Sequence, residues 1–290
     1  MKTHSGLNSD WLKGFMAAES LPDSFAEIAA QIYLPLVEKV AGWQAELGRP
    51  LALAINGAQG TGKSTLAACM AGMLEQICEL RSAVLSIDDL YLSQAARAEL
   101  GHPMLRTRGV PGTHNVAEGI RLLCELRNGQ AVRIPRFDKA SDDPASESSW
   151  PLLEPPVAVI ILEGWCVGAR PQPVAELATP INALEREADA DGRWRGLVNA
   201  ALAENYQELF GMLDRLIMLR APDFECVHRW RGEQEAKLRA RVGDGPGVMD
   251  AAALARFIMH YERLTRWMLE EMPQRADVLL RLNADHGIDA

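Results

Sequence analysis

Short apolar stretches separated by longer segments of helical periodicity make up most of the chain. Each apolar stretch has the length and the residue content of a buried strand. The predicted strands are residues 51–55, 83–87, 157–162, 216–219 and 276–282. The pattern therefore predicts a chain in which strands alternate with helices.

Helices are predicted wherever apolar residues recur at intervals of three and four positions. In the N-terminal segment 1–48, such a helix extends from Pro22 to about residue 47, with a kink or a break at Pro35. The further predicted helices are residues 65–75, 115–127, 194–210, 223–241 and 250–271. We expect the segment 1–48 to be a helical lead-in to one domain that spans residues 1–290.

Two polar stretches interrupt this alternation. Residues 140–150 contain Ser, Asp, Glu and Pro in the mixture that is typical of a mobile connection. Residues 171–200 form a long excursion with three prolines and one short charged helix. These two stretches therefore carry no predicted strand.

A shorter polar segment begins at Tyr91. Tyr91 and the polar residues after it suit a surface helix.

Composition limits the classes of function. The 290 residues are 48% hydrophobic, enough for a large core, and the net charge of −9 argues against a broad nucleic-acid surface. The five cysteines are scattered without a C-x-x-C pair, so a reducing cytosol is expected. No secretory signal is visible and no stretch approaches about 18 apolar residues, so we expect a cytoplasmic protein without a membrane span. The sequence does not indicate an oligomeric state.

The segment after the first predicted strand has the pattern G-x-x-x-x-G-K-[ST]. Its nucleotide-binding positions are Gly57, Ala58, Gln59, Gly60, Thr61, Gly62, Lys63, Ser64 and Thr65. Glycines let successive backbone N–H groups converge on an anion, and the following helix directs its positive end at the phosphates. Lys63 supplies a positive charge for the terminal phosphates, and the Ser64 hydroxyl is a ligand for Mg²⁺. Because a strand precedes the loop and a helix follows it, the segment predicts binding of a nucleoside triphosphate.

Two further predicted strands end in acidic residues. Asp88 and Asp89 follow the second strand, and Glu163 follows the third. In an open parallel sheet ligands bind outside the carboxyl ends of the strands, where one aspartate is able to accept a proton from a substrate hydroxyl and one is able to orient Mg²⁺ through water. Glu163 is expected to orient Mg²⁺ and its waters. The alternative is that these acids cap the strand ends or the turn that follows.

Basic residues are concentrated in two loops. Arg108 and His114 lie in a segment rich in glycine and proline, and Arg136, Asp138 and Lys139 form a cluster in an extended segment. Arginine suits a carboxylate because its planar fork matches two oxygens. Both loops are therefore candidates for binding an anionic or hydroxylated substrate. The alternative for each is a solvated surface segment.

The predicted helix 223–241 is densely charged and includes Arg229 and Arg231. A solvated helix face is the ordinary explanation of such a pattern. In a phosphoryl-transfer enzyme the same helix is able to act as a lid whose arginines move over the transferred phosphate. The glycine-rich stretch 243–248 is expected to give this lid-like segment, 223–248, a flexible end.

Together these blocks resemble the plant-type D-glycerate 3-kinase family, within the phosphoribulokinase/uridine kinase-like P-loop kinases. The matching blocks are residues 57–65, 86–91, 108–114, 135–139, 163–165, 229–231 and 234–235. The resemblance spans roughly residues 30–285 and implies an α/β P-loop NTPase fold, a doubly wound, mostly parallel sheet with helices on both faces and a helical lid. It also implies ATP with Mg²⁺ as the phosphate donor and D-glycerate as the acceptor.

Residue by residue, the resemblance implies three groups of functional side chains. The catalytic residues would be Lys63, Asp88, Asp89, Arg229 and Arg231. The acceptor-binding residues would be Asp89, Tyr91, Arg108, His114, Arg136, Asp138 and Lys139. The Mg²⁺ ligands would be Ser64 and Glu163. Which of the two aspartates is the base stays open, and the stretch 243–248 departs from the polar turn expected after the lid helix.

Two other functions are compatible with the same residues. One is a kinase of the uridine or pantothenate kinase type that acts on another metabolite. The other is a nucleotide-dependent switch, although the chain lacks a guanine-reading N-K-x-D motif. A protein kinase is excluded because the sequence has neither an H-R-D nor a D-F-G motif. The expected partner is a small hydroxy acid, with neither nucleic acid nor membrane.

Overall fold

The computed structural model describes residues 8–242 and 249–289, so the predicted flexible end of the lid, 243–248, lies outside the described residues. The helices are α1 Ser9–Ala18, α2 Phe25–Ile28, α3 Leu34–Leu47, α4 Lys63–Cys78, α5 Gln94–Ala98, α6 Val116–Arg127, α7 Ala183–Ala188, α8 Arg193–Ala203, α9 Asn205–Gly211, α10 Phe224–Val242 and α11 Ala251–Glu271. The strands are β1 Leu51–Gly57, β2 Ser82–Ser86, β3 Val132–Arg133, β4 Phe137–Asp138, β5 Asp143–Pro144, β6 Leu152–Leu153, β7 Val159–Gly164, β8 Arg215–Arg220, β9 Val278–Leu282 and β10 Ile288–Asp289. Within these ranges, no helix is long and apolar enough to cross a membrane.

Six strands form one central sheet in the order β10-β9-β8-β1-β7-β2. The pairs from β2 to β9 are parallel, and β10 pairs antiparallel with β9. Every residue of β1 and β7 is buried, as is typical of parallel strands that are covered on both faces. The mostly parallel α/β architecture is therefore confirmed, with β10 as a short antiparallel edge strand.

The hydrophobic core lies on both faces of this sheet. Because successive side chains of a strand alternate between faces, Leu53 and Ile55 of β1 pack in one apolar cluster and Ala54 packs in the other. The first cluster includes residues of α1 to α4 and α10, and the second includes residues of α6, α9 and α11. Strand β1 is thus held from both sides, which fixes the point from which the glycine loop begins.

Two predicted helices are divided in the structure. The N-terminal one is interrupted by a π-helical turn, Ala29–Tyr33, and resumes as α3 with Pro35 in its first turn, where the missing N–H costs no helical hydrogen bond. A kink or a break is expected at Pro35, and the interruption lies just before it, at Ala29–Tyr33. The predicted helix 194–210 is divided at Glu204, whose dihedral angles of −99° and −108° are not helical.

The stretch 140–150 is fixed by partners that its composition does not reveal. Strand β5 pairs antiparallel with β4, and the backbone N–H of Gln94 donates to Asp143 Oδ1 at 2.8 Å. The side-chain amide of Gln94 also donates to the Ser141 carbonyl at 2.9 Å. The interpretation of this stretch as a mobile connection is therefore wrong for its first half.

The excursion 171–200 is held by buried ion pairs. Arg195 contacts Asp189 at 2.8 Å, and Arg263 of α11 contacts Glu185 at 2.6 Å. Both carboxylates are fully buried, so removal of either arginine would leave an uncompensated charge in the interior. The excursion is therefore a fixed part of the fold, held in part by α11.

Candidate active site

The glycine loop lies at the carboxyl edge of the sheet, between the end of β1 at Gly57 and the start of α4 at Lys63. Gly60 and Gly62 have φ angles of 84° and 81°, a left-handed backbone that glycine adopts without strain. A Cβ atom at Gly60 would lie 2.7 Å from the Cβ of Trp230, so α10 packs directly on the loop. The first N–H groups of α4 have no helical partner and form an anion site with the loop.

Ser64 and Glu163 meet beside this loop. The Ser64 hydroxyl donates to Glu163 Oε1 at 3.2 Å, which joins the start of α4 to the end of β7. The other oxygen, Oε2, is buried without a hydrogen-bond partner in the described part of the chain, an arrangement that costs free energy unless a ligand satisfies it. Elsewhere in the described ranges, no group of three His, Cys, Asp or Glu side chains is placed to hold a metal ion. The pair fits Mg²⁺, which takes one or two protein oxygens and completes its shell with phosphate and water.

Asp88 follows β2 and faces the glycine loop. The Tyr91 hydroxyl donates to its Oδ1 at 2.8 Å, and Lys139 Nζ lies 3.4 Å from its Oδ2. Burial raises the pKa of Asp88, but the charges of Lys139 and Lys63 and the Tyr91 hydrogen bond outweigh burial and hold the pKa below its ordinary 3.8. Asp88 is therefore ionised at neutral pH and lies within electrostatic range of the loop lysine.

Asp89 is engaged by a different part of the chain. Its Oδ1 accepts the backbone N–H of Phe137 at 3.0 Å, and its Oδ2 accepts from Arg136 at 3.2 Å. Burial raises the pKa of Asp89 above its ordinary value, despite the hydrogen bond from Phe137 and the charge of Arg136. Both of its oxygens are thus used to attach β4 to the end of β2. The adjacent aspartates have different partners and opposite pKa shifts.

The charged residues of the cluster 136–139 have different partners. Arg136 and Lys139 reach Asp89 and Asp88 respectively. Asp138 instead accepts the Ser141 hydroxyl at 2.7 Å and a backbone N–H of the same turn. The structure therefore brings the two cations of the cluster to the aspartate pair, whereas the carboxylate of Asp138 closes a turn.

Arg108 is held by a residue that sequence patterns did not indicate. Asp142 contacts Arg108 and also accepts from Arg97, whose side chain is fully buried. The guanidinium of Arg108 lies over the ring of Phe137 at 5.4 Å. Asp142 lies 34 and 45 positions from its two arginines, in a stretch whose composition is typical of a loop, so the sequence carries no signal for this triad.

The loop that carries Arg108 is fixed against β7 and α11. The Trp165 indole N–H donates to the Gly109 carbonyl at 2.8 Å, and the Tyr261 hydroxyl donates to the Arg108 carbonyl at 3.4 Å. Gly109 has a φ angle of 135°, and a Cβ there would lie 2.0 Å from the Tyr261 hydroxyl oxygen. Glycine is thus required at this position, because the loop passes so close to α11.

His114 lies in the wall of the same cleft, 5% exposed and stacked on Tyr91 with ring centroids 4.5 Å apart. This contact explains why Tyr91, expected on a surface helix, is buried. The Nδ1 atom of His114 lies 2.5 Å from the Tyr206 hydroxyl. Burial lowers the pKa of His114 to about 4, although the charge of Asp88 acts in the opposite direction, so the ring is neutral at physiological pH. Helical spacing predicts Tyr206 as a core residue but gives no sign of this hydrogen bond.

The two lid arginines have different surroundings. Residues two positions apart on a helix point in nearly opposite directions. Arg229 donates to the Ala284 carbonyl at 2.6 Å, whereas Arg231 contacts Glu235 at 2.8 Å. Burial raises the pKa of Tyr261, and the charge of Arg231 opposes this rise. Arg231 is therefore within electrostatic range of Tyr261, whose hydroxyl donates to the Arg108 carbonyl.

Similar proteins are found among kinases. The chain is 34% identical over 233 residues to an uncharacterized kinase, mug58, of Schizosaccharomyces pombe, covering 74% of this chain and 79% of that protein. It is 29% identical over 225 residues to the chloroplastic D-glycerate 3-kinase of Arabidopsis thaliana, covering 73% of this chain. It spans about half of the plant enzyme, 46% of its length. No family model matches the sequence.

The fold leads to the same group. The structure superposes on a solved D-glycerate 3-kinase from Cryptococcus neoformans with a TM-score of 0.69, over 88% of this chain and 98% of that one. The two sequences are 23% identical, so this likeness concerns the fold. The similarity to the fission-yeast kinase extends over most of both chains. The chain therefore belongs to the same kinase family as this fission-yeast protein, and it is similar to D-glycerate 3-kinases in sequence and in fold.

Proposed function

We propose that this protein transfers the γ-phosphoryl group of ATP, in the presence of Mg²⁺, to the 3-hydroxyl of D-glycerate. The observation that carries the proposal is the position of Asp88, an ionised carboxylate within electrostatic range of Lys63. A base beside the donor loop suits direct transfer to a hydroxyl, because the proton of the acceptor then has a place to go. The choice of glycerate is supported by the similarity to the plant D-glycerate 3-kinase.

On the donor side, the backbone N–H groups of residues 57–65 bind the phosphates. Lys63 neutralises the charge that develops on the transferred group, and Ser64 and Glu163 hold Mg²⁺. When bound, the metal ion neutralises charge on the phosphate oxygens. These groups supply position and electrostatic stabilisation, which phosphoryl transfer requires more than covalent chemistry.

On the acceptor side, we assign the role of base to Asp88. Its carboxylate is ionised and lies within electrostatic range of Lys63 in the donor loop. Asp89 binds the backbone N–H of Phe137 and the side chain of Arg136, so we propose that it positions the segment 136–139. Tyr91 orients the base through its hydroxyl, which donates to Asp88.

Charged groups around Asp88 suit a small carboxylic acid. Asp142 engages one end of the Arg108 guanidinium, and the planar fork of an arginine has further N–H groups for a carboxylate. Lys139 adds a second positive charge, and Asp138 shapes the turn that presents it. We propose that Arg108 binds the acceptor carboxylate while its hydroxyl lies at Asp88, with His114 beside it.

Helix α10 would cover the bound phosphates. Its residue Trp230 is already in contact with Gly60 of the glycine loop. We propose that Arg231 contributes charge to the transferred phosphate, and that Arg229 does so only if its contact with Ala284 breaks. A helix over the loop also excludes water, which competes with the acceptor for the phosphoryl group.

An ADP-release assay with a panel of acceptors separates the candidate functions. The protein is incubated with Mg-ATP and, in separate reactions, D-glycerate, L-glycerate, uridine, pantothenate or no acceptor. We expect ADP only with D-glycerate. Turnover with uridine or pantothenate would support another metabolite kinase, and turnover that ignores the acceptor, or none at all, would support a nucleotide-dependent switch.

A further inference from the structure

Tyr206 of α9 lies outside every sequence block that carries the family resemblance, yet its hydroxyl contacts the buried histidine of the cleft. The side chain is 1% exposed. Its oxygen lies 2.5 Å from His114 Nδ1 and accepts the backbone N–H of Gly112 at 3.0 Å. Two polar partners on one buried hydroxyl determine where its proton points.

The direction of each hydrogen bond follows from proton counting. The N–H of Gly112 is able only to donate, so the tyrosine oxygen accepts there. Burial raises the pKa of Tyr206 well above 10, so the hydroxyl keeps its own proton and directs it at His114 Nδ1. Nδ1 must then be unprotonated. Because the buried ring is neutral, its single proton lies on Nε2.

Nε2 is the atom of His114 that has no partner. It is buried and makes no hydrogen bond within the described part of the chain. A buried N–H donor without an acceptor costs free energy, so native proteins rarely retain one unless it serves a ligand. The ring stacks on Tyr91, which is bonded to Asp88, and the charge of Asp88 acts on the ring. The unpaired donor therefore belongs to the acceptor side of the cleft.

We propose that Tyr206 is a positioning residue that fixes His114 in the Nε2–H tautomer, so that His114 donates a hydrogen bond to a hydroxyl or carboxylate oxygen of the bound acceptor. The tautomer follows from this chain alone, whereas the identity of the acceptor rests on the proposed function. Without the tyrosine hydroxyl, either ring nitrogen is able to carry the proton. A fraction of the protein would then present a lone pair on Nε2, which repels a carboxylate oxygen and is unable to donate to a hydroxyl oxygen.

Nitrogen NMR of histidine-labelled protein measures the tautomer directly, because protonated and unprotonated ring nitrogens have widely separated ¹⁵N shifts. The spectrum of His114→Gln identifies the His114 signals. We expect wild-type His114 to carry its proton on Nε2, and Tyr206→Phe to move both nitrogens toward averaged shifts. Tyr33→Phe removes a buried hydroxyl far from the cleft and is the matched control, expected to leave the signals unchanged. A proton on Nδ1 in the wild type would overturn the proposal.

Kinetics test whether the tautomer serves the acceptor. Tyr206→Phe is expected to raise KM for the acceptor about tenfold, the effect of one lost hydrogen bond, with KM for ATP unchanged. In His114→Gln, the amide donates in place of Nε2 and has no tautomer, so Tyr206→Phe should add nothing in that background. An equal rise in both backgrounds would mean that Tyr206 acts only structurally, and would overturn the proposal.

The NMR experiment and the kinetic experiment separate this inference from the proposed function. The kinetic arm uses whichever acceptor the ADP-release assay identifies, so failure of D-glycerate as a substrate overturns the proposed function and leaves this inference to its own tests. If Tyr206→Phe does not fold, as judged by thermal melting, the wild-type spectrum still decides the tautomer.

Discussion

The donor side of the cleft is one continuous stretch of backbone, residues 57–65, whereas the acceptor side is assembled from side chains of five separate segments. These segments are residues 88–91, 97, 108–114, 136–142 and 206. The donor loop depends on glycine conformations, on the packing of Trp230 against Gly60 and on the hydrogen bonds of Thr61 and Ser64. The acceptor side depends on ion pairs and hydrogen bonds across the fold, so its geometry is more sensitive to single substitutions than that of the donor loop.

Substitution of the aspartate pair tests the acceptor side with the largest expected effect. Asp88→Asn is expected to lower kcat by about 10²- to 10⁴-fold, because the variant cannot accept the proton of the hydroxyl. Asp89→Asn keeps an oxygen for Phe137 and is the matched control, with a rise in acceptor KM as its main effect. Steady-state kinetics of both variants check this, and equal losses of kcat would remove the distinction between the two residues.

Substitution of Lys63 tests the donor side. Lys63→Ala is expected to lower kcat by about 10²- to 10³-fold with the fold intact, because one charge on the transferred phosphate is lost while the backbone amides stay. Single-turnover rates measure the loss of activity, and a thermal melt measures whether the fold is intact. Full activity of this variant would contradict the donor site.

Asp142 tests whether the acceptor side depends on remote support. Asp142→Asn removes the charge between Arg97 and Arg108, and hydrogen bonds to charged groups contribute about 1.5–3 kcal/mol. We expect acceptor KM to rise about tenfold while KM for ATP stays constant. Asp143→Asn, whose side chain contacts the backbone of Gln94, is the neighbouring control. If Asp142→Asn and Asp143→Asn change KM for the acceptor and KM for ATP to the same extent, the substitutions destabilise the stretch in general.

Substitution of the lid arginines, Arg229 and Arg231, has the smallest expected effect on kcat. Arg229→Ala is expected to change kcat by about twofold at most, because its side chain is half-exposed and is held at the Ala284 carbonyl. Arg231→Ala is expected to lower kcat more, since its charge acts on Tyr261, which contacts the loop of Arg108. Parallel kcat measurements rank the two, and the opposite order would indicate that α10 rotates when the substrates bind.

The contrast between the two sides also explains what the sequence is able to predict. The glycine loop is predicted in full, because its chemistry lies in consecutive residues between a strand and a helix. Asp88 and Glu163 are found because they end predicted strands. The sequence cannot distinguish Asp88 from Asp89, because their partners lie near residues 136–139, nearly 50 positions away.

Other features depend on partners that no local pattern reveals. The stretch 140–150 has the composition of a loop, yet Asp142 is the centre of an ion-pair triad. Tyr206 has helical spacing that predicts burial, but its hydrogen bond to His114 arises only when α9 packs beside the loop 108–114. The extent of the domain, the cytoplasmic location and the roles of individual site residues stay predictions.

Identification of the phosphorylated product tests the central claim most directly. The wild-type protein is incubated with Mg-ATP and an equimolar mixture of ¹³C-labelled D-glycerate, unlabelled L-glycerate, uridine and pantothenate, and the products are analysed by mass spectrometry and ³¹P NMR. The account predicts labelled phosphoglycerate with the phosphate on the 3-hydroxyl, formed about 10²- to 10³-fold more slowly by Lys63→Ala. A phosphorylated nucleoside, phosphopantothenate, or only free phosphate would contradict it.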